Sequence, residues 1–286
     1  MILVTGASGQ IGRRVAALLR ASGKAVRLMA RNPATLPEDG FERVAADYSD
    51  PDALDRAFAG IDAALLVSGY APPGERARLH ANAIDAARRS GVSFLVYTSF
   101  QGASPSSRFP MSRDHAQTEE LLERSGIPFT ALRDSFYLDL LPDMFDDRGV
   151  VRGPAGDGVV AWVARSDVAR TAATILSGTD RKSGVFDVTG PEAISLAEAA
   201  ASISALIDRQ LRYVDESVED GRAWRAATGA PAWEVDTWLG SYEAIAAGEV
   251  ASVSPTVEHI TGSPPESLQQ YFSANPALLS RLRAAP

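Results

Sequence analysis

A glycine turn near the N-terminus limits this chain to few folds. Met1-Ile2-Leu3-Val4-Thr5 is an apolar run of strand character. Gly6-Ala7-Ser8-Gly9-Gln10-Ile11-Gly12 joins it to a segment in which Ile11, Val15, Leu18 and Leu19 recur at helical spacing. A strand that turns through glycines into a helix aims backbone N–H groups and the positive helix end at one point, where the diphosphate of a dinucleotide fits. Gly6 permits the tight turn, Gly9 lets the backbone approach the phosphates, and Gly12 lets helix and strand pack closely. The competing reading is a turn whose glycines serve helix packing alone.

The alternation continues through the first 135 residues or so. Apolar runs at Ile2 to Thr5, Ala25 to Ala30, Glu42 to Ala46, Ala63 to Val67, Phe94 to Thr98 and Phe129 to Arg133 predict six parallel strands covered on both faces. Ala53, Leu54, Ala57 and Phe58 repeat the helical stripe in the third connection. The fold class is α/β, a Rossmann-type doubly wound parallel sheet. After Phe136 the pattern loosens into short strands and turns around Arg148 to Gly158. Two further helices follow, one capped by Ser166 or Asp167 and one running from Ser195 to about Asp208, and then a helical tail broken at Pro231, Pro255 and Pro264-Pro265. The expected division is a nucleotide-binding domain over 1–190, with 136–158 contributing to a substrate crevice, and a smaller, mainly helical substrate or lid domain over 191–286.

Composition removes several functions. The 286 residues carry a net charge of -8 and no Cys, which excludes disulfides, thiolate metal sites and cysteine nucleophiles and fits a cytoplasmic chain. An acidic chain lacks the clustered cations that neutralise nucleic-acid phosphates, so no nucleic-acid partner is expected. No apolar stretch is long enough to span a membrane, and no basic flank or cleavage site marks a leader. No His pair has metal-ligand spacing and neither HExxH nor GxSxG occurs, so no metal is expected.

The cofactor follows from the end of the second strand, where an acid would bind the adenine ribose 2'-hydroxyl. Val26 to Ala34 contains no acid, and Arg31 stands where a guanidinium can grip a 2'-phosphate. NADPH is therefore expected ahead of NADH, unless Arg31 is only a solvated loop charge.

Met1 to Gly12, Arg31-Asn32-Pro33, Ala46-Asp47-Tyr48, Val96-Tyr97-Thr98-Ser99 and Arg165-Ser166-Asp167-Val168-Ala169 together resemble the atypical short-chain dehydrogenase/reductases with NmrA-like NAD(P)-binding domains. Through Asp114-His115-Ala116-Gln117-Thr118-Glu119 and Leu132-Arg133-Asp134-Ser135-Phe136-Tyr137 the chain is most similar to the second type of NAD(P)H:quinone oxidoreductase. The resemblance implies that Gly6, Ser8, Gln10 and Ile11 line the pyrophosphate, that Arg31 faces the 2'-phosphate and that Asp47 and Tyr48 flank adenine. It places Ser68 and Gly69 at the ribose and diphosphate, and Thr98, Ser99 and Phe100 beside the nicotinamide ribose. His115 falls where many relatives carry Lys. The resemblance is open to a homodimer and to an NmrA-like redox sensor that binds NADP(H) without turnover.

Ordinary dehydrogenases of this group use a Tyr four residues before a Lys that lowers its pKa. Only Lys24 and Lys182 occur here, none of the seven Tyr has Lys at i+4, and Met111 precedes His115 by four. A ketone leaves a basic alkoxide that needs such an acid, whereas hydride transfer to a quinone leaves an aromatic phenolate that water can protonate. A quinone or similar planar conjugated acceptor is the substrate class expected. Phe136 and Tyr137 lie at the carboxyl edge of the sheet, where they either sandwich a flat ring or anchor the next helix. Tyr137 and His115 are the candidate catalytic residues. His115 shares a stripe with Thr118 and Leu122, and either faces inward with them or pairs with Glu119 on the solvent edge. Trp162, in an apolar run from Val159 to Val163, reads as packing.

Overall fold

The computed structural model describes residues 1–37 and 40–284. The predicted runs become β1 (Ile2–Val4), β2 (Val26–Ala30), β3 (Glu42–Ala45), β4 (Ala63–Leu66), β5 (Phe94–Phe100) and β6 (Phe129–Asp134). Between them run α1 (Gln10–Ala21), α2 (Pro51–Phe58), α3 (Glu75–Arg89) and α4 (Pro110–Ser125). Local chemistry sets their ends. The Asp50 carboxylate accepts the Ala53 N–H and Pro51 opens α2, while α4 begins on Pro110 and stops at Gly126, whose φ of 73° suits glycine.

Beyond β6 come α5 (Leu141–Met144), β7 (Val150–Gly153), β8 (Val159–Val160), α6 (Arg165–Ser177), β9 (Gly184–Val188), β10 (Ile194–Ser195), α7 (Leu196–Ile207) and β11 (Arg212–Asp215). The C-terminal part is helical: α8 (Val218–Ala226), α9 (Ala232–Ala246), α10 (Thr256–Thr261), α11 (Leu268–Ala274) and α12 (Ser280–Ala284). Ser195 closes a reciprocal capping box with Glu198 at the head of α7.

The main sheet has seven strands, not six, in the order β3-β2-β1-β4-β5-β6-β9, every neighbouring pair parallel. The strand unforeseen by sequence, β9, starts on a glycine and lies half-buried at the edge, so it lacks the continuous apolar run of an interior strand. α6 also departs from expectation. It begins after Ala164 without a side-chain cap, and Asp167 turns inward to accept the Glu266 N–H (2.8 Å) and pair with Arg170 (2.9 Å).

The chain leaves β1 toward β2 and β3, then returns to β4 on the other side of β1. That reversal opens a crevice at the carboxyl ends of β1 and β4, where ligands of such sheets bind. Val15, Leu19 and Val168 cover one face of the sheet, and Leu54, Phe58, Ile84 and Leu122 the other, all essentially inaccessible. Each such side chain contributes about 1.5–3 kcal/mol. A third apolar cluster joins Phe100, Leu138, Leu141 and Trp162 to residues of α7, α9 and α11.

Candidate active site

The turn after β1 has the geometry of a phosphate cradle. Gly6 sits at φ 56°, and a Cβ there would lie 3.0 Å from the Val67 Cβ beyond β4. A Cβ on Gly12 would come within 2.4 Å of the Gly6 carbonyl oxygen, so only glycine lets α1 reach the turn. Gly9 caps α1 with no side chain, which leaves the first-turn N–H groups open toward the crevice. Arg13 donates to the Ser8 carbonyl (3.2 Å), and Arg14 holds the Gln10 side chain (2.7 Å), fixing the rim.

Arg31 follows β2 and is exposed. Asp47 stands near it. The Ser49 hydroxyl and N–H hold the Asp47 carboxyl below its usual range, and the Arg31 charge adds a smaller effect. Tyr48 points inward: its hydroxyl meets Thr5 Oγ1 (2.6 Å) and donates to the Val67 carbonyl (2.9 Å), so it braces the crevice floor and its hydroxyl is not available to adenine. Thr98 is likewise spent on structure. Fully buried, it accepts the Ser68 N–H (2.8 Å) and fixes the loop after β4.

The same loop rests on a buried polar network. His80 Nε2 accepts the Gly69 N–H (3.1 Å), so Nδ1 carries the proton and donates to Thr118 Oγ1 (2.9 Å). Burial drives His80 down to about 3, and His115 well below its ordinary value, with Arg76 adding to both. The Arg76 guanidinium donates to His115 Nε2 (3.1 Å), which leaves Nδ1–H to donate to the Tyr97 hydroxyl (2.8 Å). His115 therefore faces inward with Thr118 and Leu122, and Glu119 belongs elsewhere, taking the Ser99 hydroxyl (2.5 Å) and both arms of Arg133 (2.9 and 2.6 Å).

Above this floor opens a cavity of about 1140 Å³. Ser68, Gly69, Ser99, Phe100, His115, Phe136 and Tyr137 line its sheet end, and Trp224, Trp238 and Tyr242 its far end. Phe100, Phe109, Phe136 and Trp162 stack edge to face or tilted, with centroids 5.0–6.0 Å apart, into an aromatic wall. Trp162 thus borders the cavity while remaining buried. Tyr137 also lines it, but its hydroxyl donates to Asp134 Oδ2 (2.9 Å) and its ring stacks under Arg165 (4.6 Å). Burial raises both the Asp134 carboxyl and the Tyr137 hydroxyl well above their ordinary values, which makes Tyr137 a poor acid. Arg76, also in the cavity wall, escaped sequence reasoning: an arginine beside Glu75 and Arg78 on a helix reads as surface charge.

Residues 6–179 match the family of NAD(P)H-binding proteins. The chain belongs to that family. Within it, the chain is 36% identical to the (4-alkanoyl-5-oxo-2,5-dihydrofuran-3-yl)methyl phosphate reductase of Streptomyces griseus over 92% of this chain and 94% of that one. It is 33% identical to quinone oxidoreductase 2 of Escherichia coli, covering 96% of this chain and all of that one. The solved NADPH complex of that Escherichia coli protein superposes with a TM-score of 0.88, at 32% identity over 96% of this chain and 99% of the other. The NADP(H) complex of a Citrobacter triphenylmethane reductase follows at TM-score 0.83, 28% identical over 96% and 99% of the two chains. In this NAD(P)H-binding member, the uncapped helix end and the two glycines without room for a side chain fit a dinucleotide.

Proposed function

We propose that this chain is an oxidoreductase that passes hydride from NADPH to a quinone or a similarly flat, conjugated acceptor. The observation that carries this reading is the aromatic-walled cavity opening at the carboxyl ends of β4, β5 and β6, beside the glycine cradle, with no Tyr–Lys acid in it. NADPH supplies the hydride from its nicotinamide C4 when bound. The residues of the chain do the rest. Ser8, Gly9, Gln10 and Ile11 hold the pyrophosphate, Arg31 the 2'-phosphate, Asp47 and the Tyr48 backbone the adenine edge, and Ser68 and Gly69 the nicotinamide riboside, with Thr98 bracing their loop and Ser99, its hydroxyl given to Glu119, lining the wall beside it. Phe100 and Phe136 would exclude water and give a flat acceptor an aromatic wall to lie against, and such orientation can supply much of the acceleration. His115, neutral and tied to Arg76 and Tyr97, is a positioning residue here, and Tyr137 shapes the wall.

The relatives support a conjugated acceptor in three forms: a quinone, an unsaturated lactone and a triphenylmethane dye by their names. Residues 1–190 are assigned to NADPH, 136–158 to the crevice and 191–286 to the substrate side, which supplies Trp224, Trp238 and Tyr242. No helix among the described residues is long and apolar enough to cross a membrane, and we place the protein in the cytoplasm. The test is steady-state consumption of NADPH with a panel of quinones and dyes. Tight NADPH binding with no acceptor reduced would instead favour a nucleotide sensor.

A further inference from the structure

Arg76 is a buried cation in the cavity wall whose hydrogen bonds all go to neutral groups. It is 4% exposed, yet borders the cavity beside Gly69, Met111 and His115. Its Nε donates to the Gly69 carbonyl (2.8 Å), one terminal nitrogen to the Met111 carbonyl and sulfur (both 3.2 Å), and the other to His115 Nε2 (3.1 Å). All these acceptors are neutral, and Arg76 has no ion pair among the described residues; the buried Asp114 carboxyl feels its charge but accepts the Gly74 N–H (2.9 Å) instead. A guanidinium carries five N–H groups. Four are used, and one on the nitrogen shared with His115 has no partner. A fixed guanidinium that spends its bonds on neutral groups and keeps one N–H open at a cavity wall can donate a further bond to an anion that arrives with the ligand or forms during reaction.

We infer that Arg76 binds the oxyanion that hydride transfer creates, and so selects acceptors whose reduction leaves a negative oxygen. The inference rests on the hydride-transfer reading. The nicotinamide C4–H bond breaks with its electron pair, and the quinone gains that hydrogen and both electrons while NADPH becomes NADP⁺. The product is the hydroquinone monoanion, whose free oxygen carries the charge until water supplies a proton. The free N–H and the charge of Arg76 meet that oxygen. The bonds to Gly69, Met111 and His115 hold the guanidinium in place beforehand, so no reorganisation accompanies the reaction. The neutral His115 takes part by accepting one N–H and fixing the plane of the fork.

Two acceptors separate this role from a structural one. Reduction of a benzoquinone makes an anion, while hydride added to the central carbon of a cationic triphenylmethane dye makes a neutral product. Arg76→Gln also removes a brace from Gly69 and His115 and so slows both acceptors, but it should lower kcat/KM for the quinone about 100-fold more than for the dye, the usual effect of removing one oxyanion donor. Arg76→Lys, which keeps the charge, should recover part of the loss. Equal losses on both acceptors, or an unchanged quinone rate, overturn the inference. Calorimetry on the unmodified protein with NADP⁺ gives a readout apart from turnover and independent of how the variants fold. Para-nitrophenolate should bind at least about tenfold more tightly than para-nitroanisole, the worth of a hydrogen bond to a charged group. Equal binding contradicts the inference. An unmodified protein that reduces neither acceptor defeats the hydride-transfer reading instead, and the phenolate comparison still decides the anion site.

Discussion

Of the two charged side chains proposed to meet ligands, Arg31 and Arg76, only the first could be proposed from sequence. Arg31 is proposed from the missing acid after β2, because the choice between a ribose hydroxyl and a 2'-phosphate is made at that position. Arg31→Ala should weaken NADPH by about 10–100-fold, the value of one charge-assisted contact, and leave NADH nearly unchanged. Fluorescence titration with both cofactors checks this, and equal losses would remove Arg31 from the site. Arg76 was illegible because its surroundings come from a loop, α3 and α4, which meet only in the folded chain. The histidines carry a pH signature. His80 and His115 are neutral in the fold, with His80 near 3, but in the unfolded chain each takes a proton near the ordinary 6.5. The unfolded state then binds more protons below that value, so this stability is complete above about pH 6.5 and is lost as the pH falls. Buried Asp134, with a raised carboxyl, acts in the opposite sense, losing stability as the pH rises from its ordinary value. Comparison with His80→Asn therefore isolates the histidine. In urea melts from pH 8 to 5, the unmodified protein should lose about 2 kcal/mol more than the variant. Parallel profiles would show that His80 is charged in the fold.

At the scale of elements, period and glycine placement decided what could be foreseen. Interior strands β1, β4 and β5 are buried on both faces and so read as unbroken apolar runs. The edge strand β9 is half-buried and opens on Gly184, and its pairing with β6 depends on a neighbour far away in sequence. Tyr48 and Tyr137 show the corresponding limit for side chains. Their positions at the sheet edge follow from sequence, but the inward course of each hydroxyl, to Thr5 and to Asp134, depends on partners that only the fold supplies. The contact between β1's turn and α1 gives a sharp prediction. A Cβ on Gly12 meets backbone at 2.4, 2.9 and 3.0 Å, none of it able to rotate away, whereas one on Gly9 meets only the Gly6 oxygen at 3.2 Å. Gly12→Ala should cost roughly 1–3 kcal/mol in stability, as overpacking does, and abolish NADPH binding. Gly9→Ala should fold normally and bind more weakly. Thermal melts with cofactor titrations test that order, and normal binding by Gly12→Ala would show that α1 can withdraw from the turn.

For the whole molecule, the crevice opens at the sheet and residues of the C-terminal helices complete the cavity beside it, which the proposed function assigns to the acceptor. The two parts meet at the mouth, where Tyr70 after β4 donates to Glu234 of α9 (2.9 Å) and its ring lies against Trp233 (5.5 Å). The cavity of about 1140 Å³ ends at Trp224, Trp238 and Tyr242, and on the proposed function that end would take the outer part of an extended planar acceptor. The crevice was foreseeable from strand order, since ligands bind where the order reverses. The chamber was not, because Trp224, Trp238 and Tyr242 sit on helices whose packing against the sheet no local pattern specifies. The most direct measurement is the disappearance of NADPH absorbance when purified protein, NADPH and naphthoquinone are mixed. Steady turnover that scales with protein concentration, and that yields one hydroquinone per NADPH, is the predicted result. NADPH that binds tightly and persists in the presence of every quinone and dye supplied would contradict the account.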